Sequence, residues 1–344
     1  MKIGLVSSIA PLVDGGGRFI VEWLASRLSD SGHQVETVFI PFVDDPSSLM
    51  RQMTAFRMLR LDACDRIVTF RPPAHLVQHR HKIIWFIHHL RSLYDLWDTP
   101  YCSIPHNPAG EALRTAIHAA DTRALREARH VFTNSLVVRN RLKQFNDIDG
   151  RVVYPPVKEP ARFTCKGWGD EIVIVCRISA HKRQHLAIEA MKWVRTPVRL
   201  RIAGTGIEPE YMTRLEKLIA DNDLEDRVSL EYRWISEDEK ASLLSDCLAA
   251  VYLAFDEDSY GYSTIEAAHA RKATIGLSDG GGISEFVVDG VNGLVVRPEP
   301  QAIAAAFDRL WADRAFAQRL GEAAHSRIDE LNINWDTVLR MMLS

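Results

Sequence analysis

Two cations and two acids occupy positions where an α/β protein could hold an anionic ligand. Arg177 stands where an apolar run ends and Lys182 lies just before a predicted helix, so both fall at the carboxyl end of a strand. Asp258 and Glu266 stand eight positions apart across a glycine turn at Gly261. Because two cations and a helix N-terminus can neutralise a diphosphate without a metal ion, Arg177 and Lys182 form a candidate diphosphate site.

Each of these motifs also has a purely structural interpretation. Two loop cations can simply be solvated, and the spacing of Ser263 and Glu266 fits a capping box at a helix start. The acidic run 256–258 is either a solvated turn or a D-x-D arrangement of the kind that holds Mg²⁺ in other folds. Taken alone, the motifs favour the structural interpretations.

Two further sets of candidates follow other predicted strands. Gly15, Gly16 and Gly17 lack the G-x-G-x-x-G order of a dinucleotide fingerprint, but they let a backbone approach a ligand closely. The alternative is a plain flexible turn. His88 and His89 end an apolar run, where a histidine could orient a hydroxyl or support a developing positive charge. The alternative there is a structural histidine pair.

The elements that must position these residues alternate between apolar strands and amphipathic helices. A first strand at residues 1–7, a helix at 18–31 and a strand at 35–40 make a βαβ start. Prolines and glycines break the pattern across residues 147–170, and a second series begins with a strand at 172–176. The alternation predicts an α/β protein with two Rossmann-like domains that face one another across a ligand-binding cleft.

The length of 344 residues also favours two domains. We predict a first domain over residues 1–155, a second over 156–325, and a C-terminal helix over 326–344 that packs back on the first. The run 48–61 carries three arginines beside apolar residues, so it is either a helix packed within its domain or one that lies on an anionic membrane surface.

Composition narrows the class of protein. A formal charge of −3 argues against a nucleic-acid partner, since binders of nucleic acid are usually basic. Five scattered cysteines without C-x-x-C spacing suggest neither a disulfide framework nor a zinc site, and no run is long and apolar enough to span a bilayer. We therefore expect a soluble cytoplasmic protein.

The order of the motifs along the chain resembles the retaining GT-B glycosyltransferases of family 4, the glycosyl transferases group 1. The resemblance covers nearly the whole chain and is strongest over residues 173–296. It rests on the glycine cluster, a histidine in the first domain, the cations, an acid-x7-Glu loop and a G-G-x-x-E turn. The segment IWFIHHLRSLYDLW is similar to mannosyl- and rhamnosyl-type members, which favours GDP-mannose slightly as the donor.

The resemblance implies a role for each candidate residue. Arg177 and Lys182 would grip the donor diphosphate, Asp258 would lie near the donor sugar and Glu266 near the ribose. His88 would line the donor sugar from the other domain, which also binds the acceptor. The remaining donor-binding positions would be Gly15, Gly16, Gly17, Gly204, Gly206, Tyr260, Gly261, Tyr262 and Ser263.

Two departures from the family pattern matter. The first acid is usually Glu and here is Asp258, whose reach is shorter. Arg233 and Trp234 stand where the strand before the nucleobase loop usually ends in Gly, so the base stays open and Arg233 becomes a candidate nucleotide contact.

The expected function is transfer of a hexose, with retention of configuration, from a nucleoside-diphosphate sugar to a glycan or lipid-linked sugar. No metal or other cofactor is expected, and contact with the inner membrane face is compatible with such an acceptor. The alternatives are a non-catalytic sugar-nucleotide or glycan-binding partner of another transferase and an NAD-dependent oxidoreductase, although the latter would need the G-x-G-x-x-G motif.

Overall fold

The computed structural model describes residues 1–11, 15–99, 102–206 and 208–344. The chain divides into two compact units, each with one parallel six-stranded sheet. Unit 1 is Met1–Pro155 with Asn334–Ser344, and unit 2 is Pro156–Ile333. Residues 326–333, expected in a separate C-terminal segment, belong to unit 2.

In unit 1 the strand order is β2-β1-β3-β4-β5-β6, and every neighbouring pair is parallel. The order reverses between β1 and β3, and such a switch point opens a crevice at the carboxyl ends of the strands. The strands are β1 Lys2–Ile9, β2 Gln34–Pro41, β3 Arg66–Thr69, β4 Lys82–Phe86, β5 His130–Thr133 and β6 Arg151–Val152. The intervening helices are α1 Gly16–Asp30, α2 Leu49–Met58, α3 Pro108–Arg126 and α4 Leu136–Asn146.

In unit 2 the strand order is β12-β11-β10-β7-β8-β9, again parallel, and the switch point lies between β7 and β10. The strands are β7 Glu171–Val175, β8 Arg199–Gly204, β9 Val228–Tyr232, β10 Ala249–Tyr252, β11 Thr274–Leu277 and β12 Gly293–Val296. The helices are α5 Gln184–Met191, α6 Pro209–Ala220, α7 Glu237–Asp246, α8 Tyr262–His269, α9 Ile283–Phe286, α10 Pro300–Ala312 and α11 Arg314–Glu330.

The last helix, α12 (Trp335–Leu343), packs against α1 in unit 1. Trp335, Val338 and Met342 are buried in the same apolar cluster as Leu24 of α1. The apolar residues of α12 lie along one face of the helix, and α12 packs on α1 because an apolar face is stable only when it is covered. The end of the chain thus completes the core in which the chain begins.

Helix α2 is a domain-packed helix. Leu49, Met53 and Phe56 are buried in the core of unit 1, and Arg57 donates two hydrogen bonds of 2.7 Å to the carboxylate of Glu127. The apolar face that could have met a membrane is therefore used inside the unit. Of the helices that the structure describes, none has the length and hydropathy required to cross a bilayer.

Candidate functional site

The switch point of unit 2 brings Lys182 next to an acid loop. Lys182 ends a short 3-10 turn after β7, and its ammonium donates a 2.8 Å hydrogen bond to the hydroxyl of Tyr252 on β10. The same ammonium forms an ion pair with Glu257 in the loop after β10. Burial alone would lower the pKa of Lys182, but Tyr252 and Glu257 outweigh it and raise that pKa above its usual value. Lys182 is therefore a buried, protonated cation and not a solvated one.

Glu257, rather than Asp258, is the acid that pairs with Lys182. Its side chain is 20% exposed and also lies 3.1 Å from Nε2 of His181. Burial opposes ionisation, yet Lys182 and His181 hold the pKa of Glu257 well below its usual range. The solvated-turn interpretation is wrong for this residue. Asp258 follows in the same loop and is half-buried.

The glycine turn at 280–282 supports this acid loop. The amide of Glu257 donates to the carbonyl of Gly280 at 3.2 Å, and its carbonyl accepts from the amide of Gly282 at 2.8 Å. Gly281 has a φ of +65°, and a Cβ there would lie 2.4 Å from the carbonyl oxygen of Glu257. Only glycine permits this backbone approach, so the turn is part of the construction of the site.

Arg183 ties three loops together and was not identified from the sequence. Its guanidinium donates to the carbonyl of Leu253 at 2.7 Å and to both carboxylate oxygens of Asp279 at 2.8 and 2.7 Å. A bidentate arginine–carboxylate pair is among the strongest and most directional polar contacts in proteins. It fixes the turn that carries Lys182 relative to the glycine turn.

Helix α8 begins without a side-chain cap. Its N-cap is Gly261, with a φ of +76°, where a Cβ would lie 2.6 Å from Cζ of Tyr252. The capping box expected from Ser263 and Glu266 is wrong, because no side chain caps this helix. The hydroxyls of Ser259, Ser263 and Thr264 are buried without a hydrogen-bond partner in the described chain. The start of α8 thus brings a helix N-terminus without a side-chain cap close to Tyr252, and a helix N-terminus favours an anionic ligand.

The aromatic residues around Gly261 are largely internal. The ring of Tyr260 is buried and packs against Phe286 at a centroid distance of 6.0 Å, while burial raises the pKa of Tyr262. Any donor contact of Tyr260 would therefore involve its backbone.

Glu266 lies on α8 with its side chain 5% exposed, and its partner is Lys240 of α7 at 2.7 Å. Lys240 also contacts Glu237 at 2.9 Å. Burial raises the pKa of the Glu266 carboxyl, and Lys240 opposes that rise. Lys240 was not identified from the sequence, since the two residues belong to different helices.

Arg177 is exposed directly after β7, and its guanidinium forms no hydrogen bond or ion pair with the residues that the structure describes. Its loop is fixed through the backbone, with the amide of Ile178 donating to the carbonyl of Thr205 at 2.9 Å. A Cβ at Gly204 would lie 1.9 Å from the carbonyl oxygen of Cys176, and one at Gly206 would lie 2.4 Å from Sδ of Met212. These two glycines therefore permit the packing beside Arg177.

Arg233, at the end of β9, is engaged by two carboxylates. It donates to Glu239 at 2.8 Å and to Glu231 at 2.6 Å. The hydrogen bonds that it donates to Glu239 and then to Glu231 raise the pKa of its already basic guanidinium. A nucleotide contact would have to be made while these partners hold it, or would have to replace them.

In unit 1, His88 and His89 have different environments. Nδ1 of His88 lies 2.6 Å from the carbonyl oxygen of His89, so Nδ1 carries the proton and Nε2 can accept a hydrogen bond. Burial, with Arg71 nearby, lowers the pKa of His88 to about 3. The ring of His89 is enclosed in the core and lies 2.9 Å from Oδ1 of Asn146. Nδ1 of His89 has no hydrogen-bond partner either, but it is buried in the core, so His88 is the one whose unused ring nitrogen could meet a ligand.

Gly15, Gly16 and Gly17 form the start of α1 at the carboxyl end of β1. Gly15 is the N-cap, and no side chain caps the helix. A Cβ at Gly17 would lie 2.8 Å from Cδ of Arg71, which follows β3. The glycines and Arg71 thus meet at the switch point of unit 1.

Replacing His89 with glutamine is expected to make the protein less sensitive to acid. Burial lowers the pKa of His89 to about 4, so its contribution to stability is complete above pH 6.5 and is lost as the pH falls through 6.5 toward 4. Glutamine can still donate to Asn146 but does not titrate. Urea unfolding should give a free energy of unfolding for each protein at pH 7.5 and at pH 4. We expect the amount by which the wild type exceeds His89→Gln to fall by about 3 kcal/mol between these two pH values. Parallel pH profiles would contradict this assignment.

The structure thus places the candidates in two groups. In unit 2, Lys182 and Gly261 both lie next to Tyr252, with Arg177, Gly204 and Gly206 on the neighbouring loops and Arg233 directly after β9. In unit 1, His88 and the three glycines follow β4 and β1. Within the described ranges, no group of three or more His, Cys, Asp and Glu side chains could hold a metal ion.

Comparison with known proteins gives one family match and a consistent fold. Residues 166–327 match the family model of the glycosyl transferases group 1, and the search of curated proteins returned no match. Anabaena HepE in complex with UDP is 17% identical, with a TM-score of 0.75 and 100% of each chain covered. Sucrose-phosphate synthase from Thermosynechococcus elongatus is 19% identical, with a TM-score of 0.76, and covers 99% of this chain and 97% of its own. A glycosyltransferase from Rickettsia africae is 16% identical, with a TM-score of 0.73 and the same coverage.

These likenesses confirm the expected GT-B fold, with two parallel sheets and interleaved helices. The family match spans most of unit 2, including the loops that carry Arg177, Lys182 and Glu266. The matched segment and the GT-B fold together support a glycosyltransferase.

Proposed function

We propose that the protein is a retaining glycosyltransferase of family 4 that moves a hexose from a nucleoside-diphosphate sugar to a glycan or lipid-linked sugar. The observation that carries the proposal is the position of Lys182. It is a protonated lysine at the switch point of unit 2, beside the uncapped start of α8 and inside the segment that matches group 1 transferases. A cation and a helix N-terminus at one point suit a diphosphate.

Charge stabilisation is the main catalytic contribution in this proposal. The bond between the anomeric carbon and the phosphate oxygen breaks, and a bond to the acceptor hydroxyl oxygen forms on the same face. The proton of that hydroxyl passes to the departing phosphate oxygen, so no carboxylate nucleophile is needed. Arg177, Lys182 and the amides of α8 stabilise the negative charge that develops on the diphosphate, and no metal ion is required for this.

The other residues bind and orient the donor. Glu266 accepts from the ribose hydroxyls, Asp258 lies near the sugar, and neutral His88 accepts a hydrogen bond from a sugar hydroxyl through Nε2. We assign acceptor binding to unit 1. A lipid-linked acceptor would place the protein in the cytoplasm, at the inner face of the membrane.

The donor is proposed to be GDP-mannose, on the likeness of the segment around His88 to mannosyl- and rhamnosyl-type transferases. The solved neighbours include HepE with UDP and with UDP-glucose, which makes a uridine donor the direct competitor. A second candidate function is a non-catalytic partner that binds a sugar nucleotide or glycan. Asp258, in place of the usual Glu, favours that alternative.

A thermal shift against GDP, UDP, ADP, dTDP and NAD, each with EDTA and with Mg²⁺, tests the proposal. A ligand at 100 times its dissociation constant should stabilise the protein by about 2.7 kcal/mol. We expect one nucleoside diphosphate to shift the melting temperature in EDTA and to lose its effect in Arg177→Ala. A shift with NAD alone would overturn the proposal, and nucleotide binding without transfer or donor hydrolysis would favour the non-catalytic partner.

A further inference from the structure

We propose that Glu257 and Tyr252 are positioning residues that hold Lys182 in place for the diphosphate of the donor. The inference rests on the proposed function and concerns the same site. Neither residue belongs to the acid-x7-Glu motif, which runs from Asp258 to Glu266.

Two of the three N–H groups of Lys182 are already used. One donates to the hydroxyl of Tyr252 at 2.8 Å, and another to Oε1 of Glu257. The ammonium also lies 4.9 Å from the centroid of the Tyr252 ring, which restricts its approach to that ring. One N–H therefore remains for a ligand, and its direction is determined by the other two.

Both partners belong to rigid parts of unit 2. The backbone of Glu257 is hydrogen-bonded on both sides to the turn at Gly280 and Gly282, so the residue does not sit on a freely moving loop. Tyr252 lies in β10, is 6% exposed, and lies so close to Gly261 at the start of α8 that a Cβ there would be 2.6 Å from its Cζ. Lys182 is thus held between two fixed groups, next to the amides that would bind the same diphosphate.

The partners also keep Lys182 charged. The titratable groups that face it are Tyr252 from β10, Glu257 from the acid loop and the thiol of Cys176 after β7, while His181 lies on its own turn and contacts Glu257. Burial favours the neutral amine, and the contact with Tyr252 and the carboxylate of Glu257 together offset that effect on the pKa of Lys182. Without that carboxylate, the lysine should lose its proton at a lower pH.

The alternative is that Glu257 imitates a phosphate and competes with the donor for Lys182. The two roles predict opposite results for Glu257→Gln, which keeps an oxygen acceptor but removes the charge. A positioning role predicts a lower turnover at nearly unchanged nucleotide affinity. A competing role predicts tighter nucleotide binding, because the internal anion has gone.

The test compares the wild type with Glu257→Gln, Glu257→Asp and Tyr252→Phe. For Glu257→Gln we expect turnover to fall by about tenfold or more, a nucleoside-diphosphate Kd within about fivefold of wild type, and an alkaline limit of the pH profile lower by about one unit. Glu257→Asp should restore the alkaline limit, because it restores the charge. Tyr252→Phe should also lower turnover and the alkaline limit, because the Tyr252 hydroxyl accepts from the ammonium and helps to raise the pKa of Lys182.

Glu322→Gln is the matched control, since Glu322 pairs with Arg271 in a half-exposed ion pair on α11. Wild-type turnover and pH profile in Glu257→Gln would overturn the inference, as would a Kd about tenfold tighter with no loss of turnover. If Glu257→Gln folds poorly, Tyr252→Phe still provides a test. Wild-type turnover in Tyr252→Phe would show that the Tyr252 hydroxyl does not position Lys182. A wild type that neither binds a nucleoside diphosphate nor cleaves a donor would refute the proposed function itself, and this inference with it.

Discussion

Alanine in place of Arg177 is expected to lower turnover by about 10²–10³ while leaving the fold intact. The loss of one preorganised charge donor from a site where negative charge develops has an effect of this size. Arg177 is exposed, and its guanidinium forms no hydrogen bond or ion pair with the described residues. We therefore expect the substitution to remove the proposed ligand contact without breaking a polar contact among the described residues, so the melting temperature should stay the same.

The measurement is donor hydrolysis and transfer by the wild type and Arg177→Ala, with the melting temperature of both. Arg297→Ala is the control, because Arg297 is an exposed arginine of unit 2 whose ion pair with Glu299 spans 3.3 Å at the surface. Full turnover in Arg177→Ala would remove the residue from the site. A large loss of stability would show that the side chain has an internal role that its exposure does not suggest.

Methionine in place of Lys240 should destabilise unit 2 by about 3 kcal/mol, because it leaves Glu266 buried without its cation. Lys240 is 14% exposed and Glu266 is 5% exposed, so solvent cannot replace the lost partner fully. In the variant, burial raises the pKa of Glu266 above its unfolded value. The protonated Glu266 carboxyl then contributes fully to the stability of the variant below about pH 4.5. This contribution is lost as the pH rises through the pKa that Glu266 has in the folded variant.

Chemical denaturation of Lys240→Met at pH 5 and pH 8 measures both effects. The deficit relative to wild type should be smaller at pH 5, where Glu266 can take up a proton. Lys143→Met is the control, since Lys143 and Asp147 form an exposed ion pair on α4. An equal deficit at the two pH values would mean that Glu266 stays ionised without Lys240, or that the loss comes from packing.

The sequence was sufficient for the order of elements because local patterns determine them. Apolar runs such as residues 172–176 became buried parallel strands, and the break near Pro156 coincides with the start of unit 2. The apolar run 248–255 is longer than the strand that it forms, Ala249–Tyr252, since the chain leaves the sheet once its acid loop begins. The pattern of apolar residues shows which face of an element is buried, but it does not show where the hydrogen bonds between neighbouring strands end.

The partners in the site were harder to predict. Arg177 and Lys182 became candidates because each follows a strand, and strand ends meet at one edge of a parallel sheet. Glu257 and Asp279 did not, because they meet Lys182 and Arg183 across 75 and 96 positions of the chain. Spacing rules cover neighbours within one or two helical turns, so contacts of this range depend on the packed sheet. The capping-box error at Ser263 has the same origin, since Glu266 is drawn to Lys240 on another helix.

Helix α12 has a consequence for the order in which the protein is assembled during synthesis. Residues of unit 2 are contiguous from Pro156 to Ile333, whereas unit 1 needs Asn334–Ser344 to complete its core. These residues emerge from the ribosome only after the whole of unit 2. Unit 2 can therefore complete its fold before unit 1 does. Until residues 334–344 are made, the surface of unit 1 that Trp335 and Val338 later cover stays exposed to solvent and chaperones.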